Sequence, residues 1–496
     1  MPSLRLPLAW RPNVLLVTTD SQRADTVAAW QNATGAAPTA FSPHADALAA
    51  TGVVFRNAHT IAPVCSPARA SLLLGVSPFV HGKLENGIAG QMSSAAFAED
   101  NNKSAAPLRV SDPWTRLLEQ RGYATACFGK TDFGGGSGGF HHLDKAKRAP
   151  GHNQSFEGVV VDRTIAWLDK RTTALVWHPF AVHASFLTPH VQTGRSYRHS
   201  PIAPHLARAY DGRPLPQPRI DLGAGDELSS QDVWLALRNF TADVVGEAAR
   251  RAYYVRAAHA DEQLGRLVGW LRRKSLQTRT LVIYTSDHGY LLGDHGLATK
   301  HTFHDGALRV PLILSLPGVL PAGAVRDFAG LLDVTATIVA ASSGFNTRQP
   351  LPPEYQGFDL VAPIAAGRPS PRKAIAAALY DSFAVVTPGW KLAYFPEAGE
   401  GRLWDRAADP REQLDLYQRA ADNTTLGALR DGLLRALMRW RSQQLPLRFL
   451  RANANERATA GAEQVKAHTL DLRMASVERS LQDDALAATG EEYSSE

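Results

Sequence analysis

Cys65 is one of only two cysteines in 496 residues, and it stands in "PVCSPARASLLLG" (63–75). Pro67 and Arg69 follow it at fixed offsets, and a Leu-rich run ends in Gly75. The other thiol, Cys127, lies in the apolar run "YATACFGK", where a cysteine reads as a small buried filler. Two cysteines cannot form a disulfide framework. A second chemical feature is carboxylates at the ends of apolar runs. Asp20 closes "NVLLVTTD", and Asp287 follows "TLVIYTS" with His288 next to it. Hard oxygen ligands supplied by separated loops suit Ca²⁺ or Mg²⁺. A neighbouring imidazole is compatible with Ca²⁺ and leaves Mg²⁺ or Mn²⁺ open. Taken alone, Asp20–Ser21 also reads as a helix N-cap after a strand.

The elements that must position these residues are legible as repeats of helix, glycine and strand. "NVLLVTTD" reads as a buried parallel strand. "PHADALAATGVVF", "WTRLLEQRGYATACFGK" and "HADEQLGRLVGWLRRKSLQTRTLVIYTSDHG" each read as a helix, a break and a strand. This alternation predicts an α/β fold, a large mostly parallel sheet sandwiched by helices. Ligands in such folds bind outside the carboxyl ends of the strands. Asp20, Lys130, Asp287 and His288 all fall just after predicted strands, so the fold would bring them to one edge.

This unit is expected over 13–374. From 375 to 450 short strands and the run "TLGALRDGLLRALMRWRSQQ" predict a smaller antiparallel sheet with a packed helix. Residues 451–496 are polar and read as a loosely attached tail, helical or disordered. Residues 86–112, 131–155 and 191–232 read as long loops that shape substrate access.

Hydrophobic content of 44% and charged content of 20% are ordinary for a soluble globular chain. A net charge of +6 fits an anionic substrate, and equally a bland excess of surface arginine. No apolar run is long enough to span a membrane, and nothing suggests a nucleic-acid partner. "MPSLRLPLAWRPN" lacks the apolar region of a signal peptide. Against this, Asn32, Asn102, Asn153, Asn239 and Asn423 each begin an N-x-S/T sequon. The expectation is the secretory pathway, lysosomal or extracellular, with the cytoplasm as the alternative.

The C-x-P-x-R pattern at Cys65, Pro67 and Arg69, followed by "ASLLLG", resembles the signature of the formylglycine-dependent sulfatases. "NVLLVTTDSQRADT" and "SDHGYLLGDHGLATK" are similar to that family's two metal motifs, and "LWDRAADPREQLDL" to its C-terminal signature. The resemblance spans roughly residues 13–420 and implies the alkaline-phosphatase-like fold. It implies that a dedicated formylglycine-generating enzyme oxidises Cys65 to an aldehyde, whose hydrate is the nucleophile. It also implies a divalent cation, Ca²⁺ with Mg²⁺ or Mn²⁺ possible, held by Asp20, position 65, Asp287 and His288. Ser21 stands where relatives carry Asp or Gln and is a doubtful ligand.

A sulfate monoester needs positive charge at its oxygens and a proton donor for the leaving alcohol. By resemblance, Lys130 and Lys300 supply charge, Arg69 fixes the nucleophile loop, and His190 faces the leaving group. Many relatives carry histidine at the position of Asp132. His141 and His142, beyond the glycine-rich loop, are therefore the candidates for the base that releases sulfate. A GK-x-D followed by a histidine pair is similar to arylsulfatase K-like enzymes. That implies a sulfated uronic acid or another sulfated glycan, or a sulfated small molecule, as substrate. Two other readings remain. One is a phosphonate monoester or phosphodiester hydrolase of the same superfamily; the other is a non-catalytic pseudo-sulfatase that binds sulfated glycans.

Overall fold

All eight residues of Asn13–Asp20 are buried. Side chains alternate across a strand, so a strand covered on both faces buries every side chain, and its middle, Val14 to Val17, is apolar throughout. The computed structural model describes residues 10–86, 111–133, 137–145, 155–172, 178–190, 203–218, 246–345, 349–459 and 474–490. In it Asn13–Asp20 is β1, inside an eight-stranded sheet. The other strands are β2 (Val53–His59), β3 (Ala124–Gly129), β4 (His142–Asp144), β5 (Phe180–Pro189), β6 (Thr280–Ser286), β7 (Leu312–Ser315) and β8 (Ala324–Gly330). Their order is β4-β3-β5-β1-β6-β7-β2-β8. Only β7 runs antiparallel to its neighbours, β6 and β2. The mostly parallel sheet read from the sequence is what forms.

The alternation along β1 divides the core in two. Val14 and Leu16 pack with Ala68 and Leu72 of the helix Cys65–Leu74, Trp114 and Leu118 of Trp114–Gln120, and Ile338 of Leu331–Ala341. Leu15 and Val17 face the other way, onto Val160 and Leu168 of the helix Phe156–Thr172 and Leu264 and Leu267 of Glu247–Arg273. Strands β3, β5, β1 and β6 are consecutive and parallel. Neighbouring strands lie about 4.8 Å apart. The residues that leave their carboxyl ends, Lys130, His190, Asp20 and Asp287, therefore share one edge.

Gly129 makes the exit from β3 possible. It has φ +103°, and a Cβ there would lie 2.0 Å from the Ser185 carbonyl oxygen. The Lys130 N–H donates to that same carbonyl at 3.0 Å. No side chain fits so close an approach.

A second, antiparallel sheet contains β9 (Ile375–Leu379), β10 (Ser382–Val386), β11 (Trp390–Phe395) and β12 (Glu400–Asp405), in the order β12-β11-β10-β9. It braces the segment that leads to Cys65: the Ala378 N–H donates to the Ile61 carbonyl at 2.8 Å. From β11, Lys391 donates to the Phe303 carbonyl at 3.0 Å and pairs with Asp305 and Glu412.

One expectation needs correction. The helix Thr424–Thr459 runs past residue 450, and the helix Met474–Thr489 docks against it instead of hanging loosely. Val477, Leu481 and Ala485 recur every fourth residue and pack with Leu433, Leu437 and Trp440. This narrow apolar stripe is outnumbered by polar neighbours, so average composition hides it. Most of the three stretches read as substrate-access loops lies outside the described residues.

Candidate active site

Cys65 opens the helix Cys65–Leu74, directly after the segment that β9 braces. Its side chain is buried against three residues distant in sequence. The Lys300 ammonium donates to Sγ at 2.8 Å, His288 Nε2 lies 3.2 Å away, and Asp20 Oδ1 lies 3.8 Å away. Arg69, one helical turn on, reaches the same edge. Its Nε donates to Asp287 Oδ2 at 2.8 Å, Nη2 to Asp20 Oδ2 at 3.2 Å and Nη1 to Ser185 Oγ at 2.7 Å. The planar fork of a guanidinium suits this triple contact, and a lysine could not make it. Lys130 pairs with Asp20 and, at 3.1 Å, with Asp132. His190 Nε2 stands 3.9 Å from Asp20 Oδ1.

The charges balance only jointly. Burial pushes the Asp20 carboxyl up, but Lys130, His190, Arg69 and Lys300 outweigh it and hold the group well below the usual carboxylate range. Burial and the Asp20 charge likewise push the Cys65 thiol up. Lys300, His288 and Lys130 overcome both, and the thiol sits well below its ordinary value. Asp287 goes the other way. Burial raises it, Asp20 and Cys65 add to the rise, and Arg69 and His288 only partly offset them.

Asp20, Cys65, Asp287 and His288 each present a ligand atom within 4.8 Å of the others, and all four are buried. A carboxylate raised by neighbouring anions marks a place that favours a cation. The imidazole is oriented to match. His288 Nδ1 lies 2.7 Å from the Gly289 carbonyl and donates to it, which leaves the Nε2 lone pair facing Cys65. A ligating histidine is commonly oriented in this way. The donor set therefore fits a divalent cation. Ser21 does not join it directly. Held at φ +62°, its hydroxyl donates to Asp20 Oδ1 at 2.9 Å and its N–H to Asp287 Oδ1 at 3.0 Å. It orients both carboxylates, and it caps no helix.

His141 and His142 are not brought to this edge. His141 Nδ1 lies 3.3 Å from Glu119, and its N–H donates to Thr125 near the start of β3. His142 opens β4, pairs in register with Ala126 and lies against Phe128 and Trp167. Pairing with β3 fixes both well short of its carboxyl end, so neither serves as the base at position 65. Asp132 remains next to Lys130. Two supporting residues, Ser185 and Asn86, escaped the sequence reading, and Ser21, read there as a doubtful ligand, turns out to be a third support. Ser185 anchors Arg69, Asn86 accepts the Ser66 N–H at 2.8 Å, and Ser21 supports the carboxylates. The only signal for Ser185 is a polar residue in the buried strand "FAVHASFLTP".

A second histidine–carboxylate cluster lies outside this site: His295, His304 and Glu412. The two rings stack with centroids 3.8 Å apart and planes 17° from parallel. Each lone pair lies in its own ring plane, so both rings cannot face one ion at about 2 Å. The cluster packs the C-terminal signature loop onto the segment that follows Lys300.

The sulfatase family model matches residues 12–344, and the chain belongs to the sulfatase family. It is a sulfuric ester hydrolase with the alkaline-phosphatase-like fold. Choline-sulfatase of Rhizobium meliloti (strain 1021) is 28% identical over 476 residues, covering 85% of this chain and 86% of that protein. Arylsulfatase K of Rattus norvegicus is 25% identical over 439 residues, covering 79% and 68%. Among solved structures, a protein in complex with its substrate D-glucosamine-2-N,6-O-disulfate superposes with a TM-score of 0.66 at 20% identity, covering 88% of this chain and 98% of that one. Phosphonate monoester hydrolase of Agrobacterium radiobacter superposes at 0.64 with 22% identity, covering 89% and 96%.

Proposed function

We propose that this enzyme hydrolyses sulfate monoesters of glycans, with a sulfated uronic acid as the first candidate, through a formylglycine at position 65. The observation that carries this reading is the placement of Cys65 Sγ against both Lys300 and His288, beside the Asp20 carboxylate. A formylglycine-generating enzyme would supply the modification. Asp20, Asp287 and His288 would hold a divalent cation, Ca²⁺ first with Mg²⁺ or Mn²⁺ as alternatives, together with residue 65. When bound, the cation and the hydrated aldehyde supply an activated hydroxyl nucleophile and a second hydroxyl for release of sulfate.

The chain's own residues do the rest. Arg69 holds Asp20 and Asp287 in register with the nucleophile helix. Lys300 at Cys65 and Lys130 at the neighbouring Asp20 place positive charge around position 65, where it favours the developing charge on sulfate oxygens. His190 protonates the departing alcohol oxygen. The glycan assignment draws on the likeness to arylsulfatase K and on the GK-x-D pattern at Lys130–Asp132. Choline-sulfatase makes a small sulfate ester the alternative within the same chemistry. The secretory pathway is the proposed location; of the five sequons, Asn32 and Asn423 are described, and both are exposed.

The direct test is peptide mass spectrometry of the tryptic fragment Asn57–Arg69 from protein co-expressed with the modifying enzyme. Conversion of the Cys65 CH₂SH to CHO is expected, and an intact thiol would refute the mechanism. The fold is shared with a phosphonate monoester hydrolase, so aryl sulfate and aryl phosphonate should be assayed side by side. Faster phosphonate turnover would move the assignment to that activity.

A further inference from the structure

The turn that carries His190 is held from behind by a carboxylate that the chemistry above does not use. Glu157 stands in the first turn of the helix Phe156–Thr172 and is fully buried. Its Oε1 accepts the N–H groups of Leu187 and Thr188 at 3.3 and 3.0 Å. The turn closes on itself, with the His190 N–H donating to the Leu187 carbonyl at 3.1 Å. Behind the carboxylate, His259 Nε2 lies 3.6 Å from Glu157 Oε2 and 2.8 Å from Ser155 Oγ. Ser155 Oγ in turn accepts the Gly158 N–H at 2.9 Å. A charge taken out of water is costly unless it is bonded. Here the bonds go to the two backbone amides just ahead of His190.

We infer that Glu157 is a positioning residue that fixes the 187–190 turn so that His190 faces the leaving oxygen. This rests on the reading of His190 as the leaving-group acid. As the S–O bond breaks, its electron pair goes to the alcohol oxygen and the His190 proton follows. A nitrophenolate departs with little help, whereas a sugar or alkyl alkoxide requires the proton. Misplacement of His190 therefore affects poor leaving groups selectively, whereas general loss of structure affects all substrates alike.

The experiment compares kcat on p-nitrophenyl sulfate with kcat on an alkyl or monosaccharide sulfate in wild type, H190A, E157D and E157Q. H190A should raise the aryl-to-alkyl ratio by about 100-fold or more. E157D keeps the charge but withdraws its reach, and should raise the ratio by roughly 10-fold or more. E157Q keeps the reach without the charge and should stay within about 3-fold of the wild-type ratio. The double variant E157D/H190A should add little to H190A alone, because the two act as one unit. A uniform loss on both substrates in E157D, or an unmoved ratio, overturns the role of Glu157 while His190 stands. An unmoved ratio in H190A overturns the His190 reading and this one with it.

Discussion

Lys130 and Lys300 approach position 65 from different parts of the chain, Lys130 partly buried beside Asp20 and Lys300 buried beside Cys65. Asp20 and Cys65 overcome the burial that would otherwise neutralise the Lys130 amine, and they raise it. Lys300 donates to Cys65 Sγ and to the free lone pair of His288 Nε2. Preorganised charges in a water-poor site contribute more than the same charges in solvent. Lys130→Ala and Lys300→Ala should each lower kcat on p-nitrophenyl sulfate by about 10²–10³. Full activity in both variants would remove charge stabilisation from the mechanism. Asp132 also gains meaning at this scale. Its carboxylate pairs with Lys130 at 3.1 Å, so it tunes a lysine already in the site.

At the scale of elements, the unexpected result is the docking of Met474–Thr489. Arg372 donates to Asp333 through Nη2 at 2.6 Å and to Glu478 through Nη1 at 2.8 Å, and Trp440 Nε1 donates to Glu478 at 2.8 Å. Asp333 in turn accepts the Gly330 N–H at 2.7 Å at the start of the helix Leu331–Ala341. A helix outside the family's matched region thus completes a buried charge network that enters the main domain. Removing one partner from such a network leaves the other uncompensated. Glu478→Ala should destabilise the fold by about 3–5 kcal/mol, read by urea denaturation. A change below about 0.5 kcal/mol, the usual scale for surface substitutions, would show that the helix is only loosely attached.

The whole molecule carries several imidazoles that fold in their neutral form. Burial lowers His59 to about 4, His81 to about 3 and His183 to about 3. The neighbouring cations Lys83 and Arg69 push His81 and His183 further in the same direction. Each folded value lies below the unfolded value near 6.5. The unfolded chain then binds more protons, so stability is fully present above about pH 6.5 and is lost as pH falls toward the folded values. Glu412, lowered to about 2 despite burial because Lys391 and His304 outweigh it, adds a further loss below about pH 4.5. Calorimetry from pH 7.5 to 4 should show the thermal midpoint falling progressively below about 6.5. A flat profile would mean that these histidines are not held neutral.

Asp20, Cys65, Arg69, Lys130, Asp287, His288 and Lys300 could be picked out of the sequence. All but Lys300 sit in a short contiguous motif at the end of a strand or in the first turns of a helix, where local patterning marks the boundary, and Lys300 lies in the loop that continues the motif of Asp287 and His288. The parallel sheet was legible for the same reason, because alternation of helix and strand is a local signal. Tertiary structure alone decided the rest. The hydroxyl of Ser185 and the carboxylate of Glu157 act through partners far away in sequence, and Ser21 ties its neighbour Asp20 to the distant Asp287, which no spacing rule exposes. Pairing of β4 with β3 kept His141 and His142 away from position 65, although their place in the chain suggested otherwise. The sparse stripe of Val477, Leu481 and Ala485 became a docking face only because Arg372 and Trp440 stand ready for Glu478. Chemistry carried by adjacent residues can be read along the chain, whereas support supplied across a packed core exists only once the core has formed.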